Sequence, residues 1–249
     1  MMTSVSTTLP LTEEQVQEYF REGFLIVPGM VPHESIDRVL EVVPTEGANG
    51  GWTPVVFDHD APTRDAALHR LLIEPSVVTA VEQIFEAPAR VYYGMLAVVP
   101  AHGGNGLPWH QDNQYNQVLG NALNVFIALC DVTPDKAILW VAPRSHLKGV
   151  QPSRPSDLYN GGHREAAVPP DNGIPLPTLK KGDACIFDRS MYHRSLKNET
   201  AEPRYAYAAQ YVAEYSRMAA TGAKDPRKMP VRELRTMWER TEDGGKQKQ

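Results

Sequence analysis

Three side chains of this chain have the types and spacing to share one cation. Trp109-His110-Gln111-Asp112 places an imidazole and a carboxylate two residues apart, and on an extended segment residues i and i+2 emerge on the same face. Alone the pair says little, because eight histidines in 249 residues produce such matches by chance. His163-Arg164-Glu165 is a comparable pair, but it falls in a glycine-rich stretch where no strand is expected to hold its geometry. A third imidazole decides between them. The run Phe187-Asp-Arg-Ser-Met-Tyr-His193-Arg-Ser195 is followed by a polar turn, and the apolar pattern resumes at Arg204. If that turn is a hairpin centred between Asn198 and Glu199, His193 and Arg204 become cross-strand neighbours with Cβ atoms ~5 Å apart. Ser195 then shares their face, and a guanidinium beside a hydroxyl is the pair needed to grip a carboxylate.

Two histidines and one aspartate on one side of a metal leave three coordination positions open, as in the facial triad of non-haem Fe(II) oxygenases. A keto acid could take two of those positions while Arg204 holds its far carboxylate. The last would remain for O2.

These side chains need a scaffold that brings positions 110, 193 and 204 together. Thr12 followed by Glu13, Glu14 and Gln15 is a capping box, opening a helix with Val16, Tyr19 and Phe20 as its apolar stripe and Gly23 as its end. Phe24 to Val27 reads as a short strand. Pro32 to Val43 repeats the helical pattern with Ile36, Val39, Leu40 and Val43 on one face. Gly47 to Thr63 reads as loop, and Asp65 to Glu86 as two helices separated at Pro75.

Beyond residue 88 come short apolar segments punctuated by Gly, Pro, Asn and Asp: Arg90–Val99, Ala122–Cys130, Ala137–Val141, Leu176–Leu179, Asp183–Phe187 and Arg204–Val212. Helices first and strands afterwards predict an antiparallel sandwich with helices packed outside it. Residues 151–177 are long for a plain connection and read as a lid. Val231 to Thr241 reads as a last helix, followed by a frayed tail. The whole is read as one domain, with a helical flank at 11–87, a strand core at 88–215, and a C-terminal helix and tail at 216–249.

Composition narrows the class. A chain of 249 residues can bury a substantial core without disulfides. Eighteen glycines and 21 prolines favour a sheet-rich fold with many turns. A net charge of −5 and a pI near 5.9 argue against a nucleic-acid or anionic-membrane partner. Cys130 and Cys185 both sit in apolar runs and read as small buried hydrophobes. The N-terminus shows no basic stretch followed by an apolar one, and no apolar run approaches the ~18 residues that span a bilayer, so the expected location is the cytoplasm.

With these residues in place, the sequence resembles the phytanoyl-CoA dioxygenase-like branch of the Fe(II)/2-oxoglutarate oxygenases. The resemblance runs from Leu11 to about Tyr211. It rests on Thr12-Glu-Glu-Gln with Gly23-Phe-Leu, on Trp109-His-Gln-Asp, on Leu139-Trp-Val-Ala-Pro-Arg-Ser-His146, and on Gly182-Asp-Ala-Cys-Ile-Phe with His193-Arg-Ser, Asn198 and Arg204. It implies a mainly β fold, a double-stranded β-helix or jelly-roll core with flanking helices. It assigns the metal to His110, Asp112 and His193, and the 2-oxoglutarate anchors to Arg204 and Ser195, with Leu139 and Phe126 beside the co-substrate. The implied cofactors are Fe(II), 2-oxoglutarate and O2. The chemistry is oxidation of a substrate C–H bond, most commonly hydroxylation, as 2-oxoglutarate becomes succinate and CO2. Epimerisation, desaturation, cyclisation and cleavage at C–N or C–O use the same ligands. Asp112 argues against halogenation, because halogenating relatives lack that carboxylate.

Two departures stand out. Phe126 replaces a tryptophan common in relatives, and Arg144 replaces the glycine of a Pro-Gly-Ser-His turn, so that turn either changes shape or offers a charge to the pocket. Tyr93, Trp109, Gln114, Tyr115, Trp140 and Arg144 are the side chains expected near a substrate. Polar groups outnumber apolar stretches around the motifs, and no feature reads a CoA moiety. The expected partner is therefore a small polar metabolite, with the oligomeric state left open. Two other classes stay in view: a zinc or manganese cupin-type isomerase or hydrolase, and a non-catalytic jelly-roll binding protein. The first would have no need of Arg204 or Ser195.

Overall fold

The computed structural model describes residues 10–42, 51–55, 66–158, 162–225 and 229–236. In chain order its elements are α1 (Glu13–Glu22), β1 (Phe24–Val27), α2 (His33–Val42), β2 (Gly51–Val55), α3 (Ala66–Leu71), α4 (Pro75–Phe85), β3 (Ala89–Val99), β4 (Leu107–His110), β5 (Val118–Leu119) and β6 (Ala122–Ala128). There follow β7 (Leu139–Val141), β8 (Ser153–Pro155), β9 (Arg164–Ala166), β10 (Ile174–Pro175), β11 (Ala184–Asp188), β12 (His193–Ser195), β13 (Arg204–Ala213), β14 (Arg217–Met218) and β15 (Met229–Pro230). Residues 231–236 are helical, and the remainder of the expected last helix lies outside the described residues.

The helices begin where the sequence places them. The Thr12 hydroxyl accepts from Gln15 N at 3.2 Å, and the Gln15 carboxamide oxygen accepts from Thr12 N at 2.9 Å. Gly23, at φ 84°, ends α1 in the left-handed region that suits glycine. Pro75 opens α4, where its missing N–H costs nothing. One member of the expected stripe is displaced: Phe20 is 48% exposed and lies edge-on to the buried Tyr19. The passage read as loop contains strand β2, which pairs with β3, because extended β3 leaves an edge that β2 completes. The rest of that passage, and Val43, lie outside the described residues.

Two antiparallel sheets form the core. The larger has the order β1-β11-β6-β13-β3-β15, with β2 also on β3, and the smaller has the order β10-β7-β12-β4. Core strands alternate between them, β11 in the larger, β12 in the smaller and β13 in the larger again, which is the jelly-roll winding the resemblance implied. Side chains alternate accordingly. On β13, Tyr207, Ala209 and Tyr211 face the helices in the main hydrophobic cluster, while Arg204, Ala208 and Gln210 face inward between the sheets.

This winding overturns the proposed hairpin. His193 pairs with His110 and Val141 in the smaller sheet, whereas Arg204 pairs with Val99 in the larger. The polar turn crosses from one sheet to the other instead of folding back. Asn198 holds it there, donating through N to Gly103 O at 2.9 Å and through Nδ2 to Pro100 O at 3.0 Å and Glu202 O at 2.7 Å.

Strands occur on both sides of residues 159–161 in the stretch read as a lid. β8 and β9 form a ladder, so His163-Arg164-Glu165 does end in a strand, and β10 joins the core sheet beside β7. Gly173 packs flat on the Trp109 indole, where any Cβ would overlap the ring.

Gly106, at φ 68°, brings the start of β4 against the Ser195 carbonyl, and an added Cβ would collide with that backbone. Gly106→Ala therefore combines left-handed strain with a backbone clash, and is expected to cost about 1–3 kcal/mol in urea unfolding. Stability equal to the parent's would contradict this packing.

Candidate active site

The metal-ligand candidates converge because two strands of the smaller sheet are neighbours. His110 ends β4, His193 begins β12, and the two residues are ladder partners, with ring centroids 4.1 Å apart. Gln111 keeps extended dihedrals, φ −118° and ψ 133°, so the carboxylate of Asp112 emerges on the side of His110 even though Asp112 itself opens a 3-10 turn. Asp112 Oδ1 lies 3.6 Å from His110 Nε2 and 3.8 Å from His193 Nε2. One ligand atom from each residue lies within 4.8 Å of the others.

The remaining ring nitrogens are committed elsewhere. His110 Nδ1 lies 2.8 Å from Pro108 O and His193 Nδ1 lies 3.1 Å from Met191 O. A carbonyl can only accept, so each Nδ1 donates to it and each Nε2 is the nitrogen turned toward Asp112. Burial, joined by the neighbouring His193, lowers the His110 pKa to about 4, so the ring is neutral at neutral pH. For Asp112, burial is the largest single influence and acts upward. His193, Arg189, His110 and the Asn124 amide together outweigh it and hold the carboxyl below its usual range. Two imidazoles and one carboxylate in a buried corner are a donor set suited to a divalent transition metal.

Around this corner lies a cavity lined by Met95, Ala97, Leu107, Asn124, Phe126, Ala137, Leu139, Phe187, Arg194, Ser195, Arg204, Ala208 and Gln210 as well as the three ligand candidates. Arg204 is 1% exposed. Among the described residues its acceptor is Ala97 O, at 3.4 Å from an Nη, and its buried Nε has none. The Phe126 ring lies 5.6 Å beneath the guanidinium. Burial lowers its pKa to about 10, which leaves it charged at neutral pH. A buried cation without a carboxylate partner is a site for an anionic ligand. The residues present thus fit both an iron ion and a keto diacid.

The substrate-side candidates scatter. Tyr93 lies on the inner face of β3 opposite Gln210, outside the cavity lining. Tyr115 stands at the rim, its ring 6.1 Å from that of His110 and its hydroxyl accepting from Arg164 N at 3.0 Å and meeting His163 Nδ1 at 3.3 Å. Gln114 is spent on the turn, bonding Gln111 N at 3.1 Å and Gln151 O at 2.9 Å. Trp109 and Trp140 project from the outer face of the smaller sheet and sandwich the Arg194 guanidinium at 4.8 and 4.4 Å. Arg144 keeps the glycine-like turn, at φ 65°, and lines a separate surface depression of about 680 Å³ between residues 143–152 and 167–172. It neither reshapes the turn nor charges the metal cavity.

Three side chains that no motif marks complete the corner. Asn124 Nδ2 and Gln210 Nε2 both donate to Asp112 Oδ2, the second at 3.1 Å. Arg189 donates to Gln210 Oε1 at 2.6 Å and to the Asp112 carbonyl at 3.3 Å. The available signal was polarity out of place, since Asn124 and Gln210 interrupt otherwise apolar core strands.

A jelly roll that holds two imidazoles and a carboxylate beside a buried, unpaired arginine defines a mononuclear non-haem oxygenase dependent on Fe(II) and 2-oxoglutarate. The phytanoyl-CoA dioxygenase family model matches residues 19–206. The chain is 27% identical to L-proline trans-4-hydroxylase of Streptomyces griseoviridis over 240 residues, 83% of this chain and 88% of that protein. It is 25% identical to ectoine dioxygenase of Bordetella parapertussis over 227 residues, 78% and 73% of the two. Among solved structures, the apo non-heme monooxygenase ThoJ superposes with a TM-score of 0.69 at 22% identity, covering 87% of this chain and 83% of that one. The chain belongs to the phytanoyl-CoA dioxygenase family. No helix among the described residues is long and apolar enough to cross a membrane.

Proposed function

We propose that this enzyme hydroxylates a C–H bond of a small polar metabolite, of the size and polarity of a cyclic amino acid, in the cytoplasm, with no nucleic-acid or membrane partner. The observation that carries the reading is the shared cavity of the His110–Asp112–His193 corner and the unpaired Arg204. The relatives whose names specify proline and ectoine support the substrate class. In this reading Nε2 of both histidines and Oδ1 of Asp112 hold Fe(II), while Arg204 and Ser195 anchor 2-oxoglutarate against Leu139 and Phe126. Bound there, iron and co-substrate supply the activation of O2 and the oxidising power for C–H cleavage.

The chain's own residues do the positioning. The Pro108 and Met191 carbonyls orient the rings, and the buried Arg204 neutralises the far carboxylate. Tyr115 and His163, joined at the rim, offer a hydroxyl and an imidazole to a polar substrate. Succinate release and O2 uptake with a panel of small cyclic amino acids, set against acyl-CoA thioesters, test the proposal. Stimulation by the first group is expected, and stimulation by thioesters alone would sink the substrate class. Tyr115→Phe removes one hydrogen-bonding group and should raise the substrate KM about fivefold, a loss of ~1 kcal/mol, while leaving the 2-oxoglutarate KM unchanged. An unchanged substrate KM would remove Tyr115 from the substrate's surroundings.

A further inference from the structure

Asp112 has two carboxylate oxygens, and the structure gives them different surroundings. Oδ1 is the oxygen nearest both imidazoles, whereas Oδ2 accepts from the carboxamides of Asn124 and Gln210. Those two donors are ladder partners on adjacent strands β6 and β13 of the larger sheet, so their amides arrive side by side. A carboxamide can rotate or flip, and Gln210 needs something to fix which end it shows. Arg189 does this, because its Nη1 donates to Gln210 Oε1 at 2.6 Å, which leaves only Nε2 free to point at Asp112. The second Nη of the same guanidinium reaches the Asp112 carbonyl at 3.3 Å, tying both ends of the residue to one rigid fork. Arg189 is itself held: it is 3% exposed, its guanidinium lies 4.0 Å from the Tyr92 ring centroid, and its carbonyl accepts from Asn113 N at 3.0 Å.

We propose that Arg189, acting through Gln210, is a positioning residue that makes Asp112 a one-oxygen ligand, occupying Oδ2 so that Oδ1 alone faces the metal. The inference rests on the metal reading of the His110–Asp112–His193 corner. It assigns to Arg189 no contact with iron, co-substrate or substrate. Its consequence is that metal affinity, and the electronic environment of the bound ion, depend on a side chain two contacts away.

The test is anaerobic Fe(II) titration of the full chain against a chromophoric chelator, followed by addition of 2-oxoglutarate and recording of the visible charge-transfer band. Arg189→Met keeps length and removes the fork, and Gln210→Leu removes the intermediate. Each is expected to weaken Fe(II) binding about 10–100-fold and to shift the band, with the 2-oxoglutarate KM at saturating iron within twofold of the parent's. The double variant should be no weaker than the worse single one, because both break the same relay. Arg189→Lys, which restores charge and one donor, should recover part of the loss. Circular dichroism and thermal melting confirm that each variant is folded.

Folded Arg189→Met and Gln210→Leu proteins that bind Fe(II) as the parent does, with an unmoved band, would overturn the proposal. So would fully additive losses in the double variant, since these would mean that the two residues act separately. Failure of the parent itself to bind Fe(II) is a different result and overturns the metal reading beneath it.

Discussion

Asp112→Ala should abolish coupled turnover, with succinate formation falling at least about 10³-fold, or ~4 kcal/mol of transition-state stabilisation. Among the described residues the carboxylate is the one anionic member of the corner, and without it the protein offers the dication only two imidazoles there. Loss of function need not mean loss of fold. The substitution relieves a buried charge, but strands the Asn124 and Gln210 amides that donated to it. The net expectation is a folded protein destabilised by about 1–3 kcal/mol, which a urea melt of the metal-free enzyme measures. Turnover within tenfold of the parent would remove Asp112 from the metal. Unfolding in place of inactivation would show that its role is structural.

Arg204 carries the second large effect, and here activity and stability should move in opposite directions. Its guanidinium is buried, and among the described residues it has a single long hydrogen bond and no counter-charge. Arg204→Met exchanges that buried charge for a side chain of similar length. It should raise the 2-oxoglutarate KM by about 30-fold or more, matching the ~2–5 kcal/mol lost when a buried charge pair is broken. The same change should stabilise the free protein by ~1 kcal/mol or more, because an uncompensated buried cation has been removed. Conversely, 2-oxoglutarate should raise the melting temperature of the parent and leave the variant unmoved.

The pH dependence follows from the pKa of about 10 set by burial. The anchoring charge is complete through neutral pH and is lost only as pH rises through that value. The 2-oxoglutarate KM should therefore be flat from about pH 6 to 9. A rise centred near neutrality would point to a different anchor. If Arg204→Met leaves turnover intact, the cupin-type reading that does without this residue would regain ground.

The convergence of the candidate ligands was legible in the sequence because its strongest signal is local: His110 and Asp112 are separated by one extended residue, and strand geometry alone puts them on one side. Arg204 was legible by type but not by route. A hairpin is the simplest way to bring 193 near 204, yet the two strands belong to different sheets, and their side chains meet across the sandwich. Strand order is a non-local property, and no turn residue announces it. The same period of two that turns His110 inward turns Trp109 outward, and Leu139 and Trp140 divide likewise, so both indoles lie away from the cavity that holds the reacting groups. Arg189, Asn124 and Gln210 were illegible for a stronger reason. Their contacts exist only once the register Gln210 to Asn124 is set, which required the whole of β6 and β13 to pair.

The ladder partnership of His110 with His193 has a wider implication for how such enzymes diversify. Separation along the chain is irrelevant to the distance between the two imidazoles, since adjacent strands fix it at one hydrogen-bonded step. The loops strung between them, among them the β8–β9 ladder and the turn at Arg144, can lengthen or shrink at a cost that grows only slowly with length. The metal centre is in that sense insulated from its own connections. The segments around the mouth can therefore differ in length without moving the two imidazoles apart.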